Sequence, residues 1–198
     1  MRTVKGLARR VAAFAPPAIA GWDHYYLGTY KRLLRTFEEV TFAEGSSLES
    51  DACVWFVTSW MRLQKNQHWE NYQAGLAYYE RARPVLVKAR SEGAVTFPDD
   101  LKTVRAYLGG SMIAASKFLH FLRPDRFAMW DQNVAEAMFG NKRRDFLNSP
   151  KQYACYLGNL ALLDLPDDVD RNVRRVLGDV TLIRRKEFVL FCLGRHRG

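Results

Sequence analysis

Residues 107–140 read YLGGSMIAASKFLHFLRPDRFAMWDQNVAEAMFG, and they carry two helix signals separated by a hard break. Gly109-Gly110 stops whatever helix precedes them, and Ser111 is suited to cap the next. From there Met112, Ile113, Ala114, Ala115, Phe118, Leu119, Phe121 and Leu122 cover almost the whole circumference of a helix. An all-round apolar helix belongs in a protein interior. Pro124 ends it, because the residue before a proline avoids helical geometry. An apolar hook follows, Phe127-Ala128-Met129-Trp130. Asp131 then opens a second helix, Val134 to Phe139, as a natural N-cap, and Gly140 closes it.

Two charges stand out in this apolar setting. Lys117 lies within the first helix, and Asp131 lies at the mouth of the second. On a competing reading, Ser116, Lys117, His120 and Arg123 recur at helical spacing and form a narrow solvated stripe, with Asp131 only a cap.

Working outward, the same grammar of caps, glycine stops and three-to-four apolar spacing extends along the chain. Residues 1–14 read as a short basic amphipathic helix broken by Pro16-Pro17. Residues 22–40 form the next helix, with Tyr26, Tyr30, Leu33, Leu34 and Phe37 on one side. The apolar run from Asp51 to Gln64 reads as helix by length, with a strand over 52–58 as the alternative. Trp69, Tyr72, Leu76, Tyr79 and Arg83 make a further helical stripe, and Pro84 is expected to kink or divide that helix. Pro98-Asp99-Asp100 starts a helix that runs to the Gly109-Gly110 break. Ser149-Pro150, Pro166-Asp167-Asp168 and Thr181 open three more. The expected fold class is all-α: one compact multi-helix domain over 1–198, with its core stretch at 107–140.

The 198 residues include 30 Lys+Arg against 21 Asp+Glu, a formal net charge of +9. Such an excess favours polyanionic partners through counterion release. The run Asn141-Lys142-Arg143-Arg144 directly follows the Asp131 helix, so Lys142, Arg143 and Arg144 are candidate phosphate contacts; alternatively they are an ordinary solvated loop. Cys53, Cys155 and Cys192 are odd in number, widely spaced and set in apolar helical segments, which reads as buried, reduced thiols in a cytoplasmic protein. A basic, apolar start followed by Ala18-Ile19-Ala20 has some leader-like character, but Pro16-Pro17 interrupts it. No Cys-x-x-Cys occurs, and His24, His68, His120 and His196 have no metal-ligand spacing, so neither a metal nor a cofactor is expected. No segment is long enough to span a membrane.

The order of helix with lysine, loop with proline, apolar hook, aspartate and helix resembles the helix-hairpin-helix DNA glycosylases, most of all the 8-oxoguanine DNA glycosylase branch. The resemblance covers residues 107–140. It implies the glycosylase fold, DNA as partner, Lys117 as nucleophile and Asp131 as the catalytic aspartate. It also implies removal of a modified or damaged base, with a lyase step where the amine forms a Schiff base. Beside these two, Met129 and Trp130 are candidate walls of a base pocket, and His120, one turn after Lys117, is a candidate substrate contact. The hairpin glycines of that family lie just before the lysine, whereas Gly109 and Gly110 lie eight and seven residues before Lys117. The alternative is therefore a non-catalytic nucleic-acid-binding or interaction protein on the same helical scaffold.

Overall fold

The computed structural model describes residues 4–16, 21–47, 49–54 and 72–195. Every regular element among them is a helix. In chain order these are α1 (Val4–Ala12), α2 (Gly21–Glu39), α3 (49–54), α4 (Tyr72–Glu92), α5 (Asp99–Tyr107) and α6 (Met112–Leu122). Then come α7 (Gln132–Phe139), α8 (Arg144–Leu147), α9 (Pro150–Leu162), α10 (Asp167–Leu177) and α11 (Leu182–Arg195).

Two helices act as hubs. α6 packs against α2, α4, α5 and α9, and α11 packs against α7, α9, α10 and α1. Their sequences explain the difference from the rim. In α6 every residue except Ile113 is buried. α10, at the rim, is amphipathic instead: it buries Val169, Val173 and Leu177 and turns its charged residues outward, apart from Asp170, which faces α11. The buried side chains form one connected apolar cluster running from Leu7 to Cys192. It is rich in aromatic contacts, such as Phe37 edge-on to Phe118 and Trp130 against Tyr156.

The expected caps are present. Ser111 accepts the Ala114 N–H, Ser149 accepts the Gln152 N–H, and Gly140 takes a left-handed φ of 69° to close α7. Pro84 does not divide its helix: α4 continues through it to Glu92. A mid-helix proline costs about 3 kcal/mol. Here Tyr79 and Ala82 on one side of it and Leu86 and Ala89 on the other are fully buried, and that packing holds the helix together. Cys155 departs from expectation. Cys53 and Cys192 are buried, but Cys155 is exposed, because the buried stripe of α9 runs through Tyr153, Tyr156 and Leu160 and leaves it on the outer side. The short α8 begins at Arg144, the last residue of the basic run 141–144, and was not expected. The helix expected over 51–64 falls mostly outside the described residues, as does Trp69. Among the described residues, no helix is long and apolar enough to cross a membrane.

One contact fixes α11 against α7. Gly194 lies so close to the first turn of α7 that a Cβ added to it would sit 1.9 Å from the Asn133 carbonyl oxygen. Arg10 braces the same region by donating to the Ala137 and Leu193 carbonyls. Gly194→Ala is therefore expected to lower stability by about 3 kcal/mol or more, since two backbones must separate. Gly158, within α9 and with nothing within 4 Å of an added Cβ, is the control. Gly158→Ala should raise stability by about 0.5–1 kcal/mol. Urea melts of the two variants check the pair.

Candidate functional site

The polar stripe of α6 turns inward. Ser116, Lys117 and His120 are all buried, Lys117 being only 3% exposed, so the solvated-stripe reading of these three fails. Arg123, at the end of the stripe, is half-buried and donates to the Arg90 and Ser91 carbonyls.

Ser116 and His120 are fully engaged. Ser116 Oγ donates to the Ile113 carbonyl and accepts the Trp130 N–H at 3.0 Å. His120 Nδ1 lies 2.6 Å from the Phe127 carbonyl oxygen, which can only accept, so Nδ1 carries the proton. Nε2 is then the acceptor for the Tyr30 hydroxyl at 2.8 Å. Burial, chiefly, pushes the imidazole pKa down to about 3, so it stays neutral at any physiological pH.

These bonds stitch the hook onto α6, and α9 fastens it from the other side. Tyr153 donates to the Ala128 carbonyl and Tyr156 to the Met129 carbonyl, at 2.9 and 3.2 Å. Trp130 is fully buried and its indole N–H donates to the Leu147 carbonyl at 2.9 Å. The hook delivers the chain to Asp131, whose Oδ1 accepts the N–H groups of Asn133 and Val134, both at 2.9 Å. Asp131 is thus anchored by α7 with its position set by α6.

Lys117 is different. Among the described residues no hydrogen bond or direct ion pair reaches its amine. Its pKa is lowered from 10.5 to about 8, first by burial; the Asp131 carboxylate opposes the drop and the Arg184 guanidinium adds to it. Lysine and aspartate, 14 positions apart, are therefore within each other's electrostatic reach. At pH 7 a pKa of about 8 leaves roughly a tenth of the amines unprotonated, against about one in three thousand for an ordinary lysine.

Arg184 completes the cluster and was not legible as a member. In sequence it opens the basic triplet Arg184-Arg185-Lys186 of the last helix. In the fold its side chain is 14% exposed and forms an ion pair with Glu187, itself buried. Its guanidinium lies over the Tyr30 ring, 5.2 Å from the centroid. The only sequence hint is Glu187 three residues on. The other two members of the triplet are structural: Arg185 pairs with Asp170, and Lys186 donates to the Leu160 and Ala161 carbonyls.

The other candidates separate into two places. His120, Met129 and Trp130 are buried in the core, whereas Asp131 is half-buried. Lys142, Arg143 and Arg144 are exposed, running from the end of α7 to the first residue of α8, and Arg143 forms a two-pronged surface pair with Asp145. Among the described residues, no group of three His, Cys, Asp or Glu side chains is arranged to hold a metal ion.

Comparison of this chain with protein-family models, with curated proteins and with solved structures finds no match.

The buried amine has a thermodynamic signature. Between about pH 8 and 10.5 the unfolded chain binds more protons at Lys117 than the folded one does. Stability contributed by this site therefore rises with pH across that window, and below it the full penalty applies, roughly 3 kcal/mol. Lys117→Met, which conserves volume, should be about 2–3 kcal/mol more stable than the parent at pH 7, with the advantage fading by about pH 10.5. Urea melts of both proteins across pH measure this. A difference that stays flat from about pH 7 to 10 would mean an ordinarily solvated amine.

Proposed function

We propose that this protein is a DNA glycosylase that removes a modified or damaged base, with Lys117 as nucleophile and Asp131 as its acidic partner. The observation that carries the proposal is the Lys117 amine: buried, unpaired among the described residues, with a pKa of about 8, and in the field of a carboxylate fixed by a helix N-terminus. That is what amine attack on a sugar carbon requires. The resemblance of residues 107–140 to the 8-oxoguanine DNA glycosylase branch and the net charge of +9 supply the substrate class.

In this reaction the target nucleotide leaves the stack, because C1′ is shielded inside a duplex. The Lys117 lone pair forms the N–C1′ bond as the C1′–base bond breaks. The bonding electrons leave with the base, which takes up a proton. Asp131 stabilises the positive charge that develops on the sugar and accepts the proton shed by the amine. Opening of the C1′–O4′ bond then gives the Schiff base from which strand cleavage proceeds.

With DNA carrying an oxidised purine or an abasic site, borohydride should trap a covalent adduct whose rate of formation rises with a midpoint near pH 8. Lys117→Ala should abolish it. Asp131→Asn, which keeps a capping side chain but loses the charge, should slow base release by roughly 10²-fold or more while leaving DNA affinity largely intact. An adduct that survives Lys117→Ala would assign the chemistry to another amine.

The closed packing of Trp130, Met129 and His120 favours a second reading, a DNA-binding protein without catalysis, because base entry would require these side chains to move. Binding without any adduct over a broad lesion panel would select it. On either reading, replacing Lys142, Arg143 and Arg144 together by Ala should weaken DNA binding. The salt slope should fall by about 0.9 for each phosphate that is no longer neutralised. An unchanged slope would remove them from the interface.

A further inference from the structure

The positive charge of this chain falls into two classes. Arg10, Arg90, Arg105, Arg123 and Lys186 reach inward to main-chain carbonyls, and Arg184 and Arg185 pair with carboxylates. These side chains hold helices together and are not available to a partner. What a polyanion can use is the exposed remainder, and the fold decides where that lies.

Two groups of it are far apart in sequence. On α2, Lys31, Arg32 and Arg35 are exposed on the side opposite buried Tyr30, Leu33 and Phe37. On α10, Arg171, Arg174 and Arg175 are exposed opposite Val169, Val173 and Leu177. Gly178, one turn beyond Arg174 and Arg175, continues that outer side. It ends α10 with φ 74° and ψ −152°, a conformation that in practice only glycine adopts. Its bare side faces α2: an added Cβ would lie 3.7 Å from the Lys31 Nζ. The ammonium is thus seated at the C-terminal end of α10, where the helix dipole favours a cation. The chain just beyond is fixed to the same turn of α2, because the Arg184 guanidinium lies 5.2 Å from the centre of the Tyr30 ring. A line of cations therefore runs from Arg171 through Arg174 and Arg175, past Gly178, to Lys31 and Arg35. It extends about 10 Å along α10 and about 6 Å along α2.

Carboxylates do not cancel this line. Residues 28–37 contain none, and residues 171–180 contain only Asp179. Asp170 accepts from Arg174 at 2.8 Å and is also taken up by Arg185 on its inner side. Among the described residues, the side chains of Lys31, Arg32, Arg35 and Arg171 have no partner, and Arg175 has only the neutral Asn172 side chain at 3.4 Å. Like charges gathered on one surface repel one another, and a phosphate backbone laid across them relieves that repulsion.

We propose that the joined outer sides of α2 and α10 form a DNA-backbone surface, additional to residues 142–144, on which Lys31, Arg32, Arg35, Arg171, Arg174 and Arg175 neutralise phosphates of a duplex. The inference rests on DNA as the partner, which both readings above share, and it requires no catalysis. Phosphate contacts of this kind carry affinity and orientation but no base sequence.

The test measures binding of an undamaged, fluorescently labelled duplex by anisotropy over a salt series, which keeps lesion chemistry out of the readout. Lys31→Gln/Arg32→Gln/Arg35→Gln and Arg171→Gln/Arg174→Gln/Arg175→Gln each remove the charges of one helix. Glutamine keeps a good helix propensity, and urea melts check that each variant is folded. Arg9→Gln/Arg81→Gln/Lys151→Gln removes as many exposed charges from α1, α4 and α9 and controls for net charge. The salt slope should fall by about 0.9 for each phosphate no longer neutralised, up to about 2.7 in each helix triple, and stay at the parent value in the control. An unchanged slope in either helix triple, a control that falls as far as they do, or a parent that does not bind the duplex would overturn the proposal. Borohydride trapping separates its fate from that of the glycosylase reading. Slopes that fall in both helix triples while no lesion gives an adduct would keep this surface and sink the glycosylase. A Lys117-dependent adduct with unmoved slopes would do the reverse.

Discussion

Every polar group carried into this core has to find a partner there, and on α6 that requirement organises the rest of the molecule. A buried donor or acceptor left unmatched costs about 1–3 kcal/mol, more than a made hydrogen bond contributes on balance. Ser116 and His120 meet the requirement by reaching the backbone of residues 127–130 rather than the backbone of their own helix alone. The hook is an apolar loop packed inside the protein, where irregular backbone is normally too costly to place. It persists because α6 engages Phe127 and Trp130, while Tyr153 and Tyr156 of α9 engage Ala128 and Met129. The location of Asp131, and with it the start of α7, follows from this wiring.

Lys117 breaks the pattern from within. Its polar neighbours on α6 each bring a partner, whereas no described residue hydrogen-bonds or pairs with its amine, which feels the charges of Asp131 and Arg184. Packing alone would be better served by methionine. Departures of this kind from the rules that make a core stable concentrate where chemistry is done. The arrangement also divides the work. α6 carries Lys117, the start of α7 carries Asp131, α11 carries Arg184, and Gly194 permits α11 to approach α7 closely.

Much of this is legible in the sequence where the signal is local. Ser111, Pro124, Asp131 and Gly140 announce their helix ends through backbone geometry, and the all-round apolar surface of α6 announces its burial. Lys117 and Asp131 can be singled out because a charge in an apolar run is conspicuous. Legibility fails where the outcome depends on what lies opposite. The inward turn of Ser116, Lys117 and His120 depends on the hook folding back over them. The burial of Arg184 depends on Tyr30, which is 154 positions earlier in the chain. At Pro84 the local cost is easy to read, whereas the packing that carries α4 on past it is not. Cys155 misleads because an apolar helix still has an outer side.

The seat of Trp130 gives the molecule an optical property. Its indole is shielded from water, hydrogen-bonded to a carbonyl and flanked by Phe139, Phe146 and Tyr156. An excited indole in such surroundings cannot be relaxed by reorienting solvent dipoles, so its emission lies at short wavelength. Any rearrangement that pulled the hook away from α6 or α9 would wet the ring and move that emission to the red. The residue that precedes Asp131 is thereby also an intrinsic reporter of whether the hook is seated.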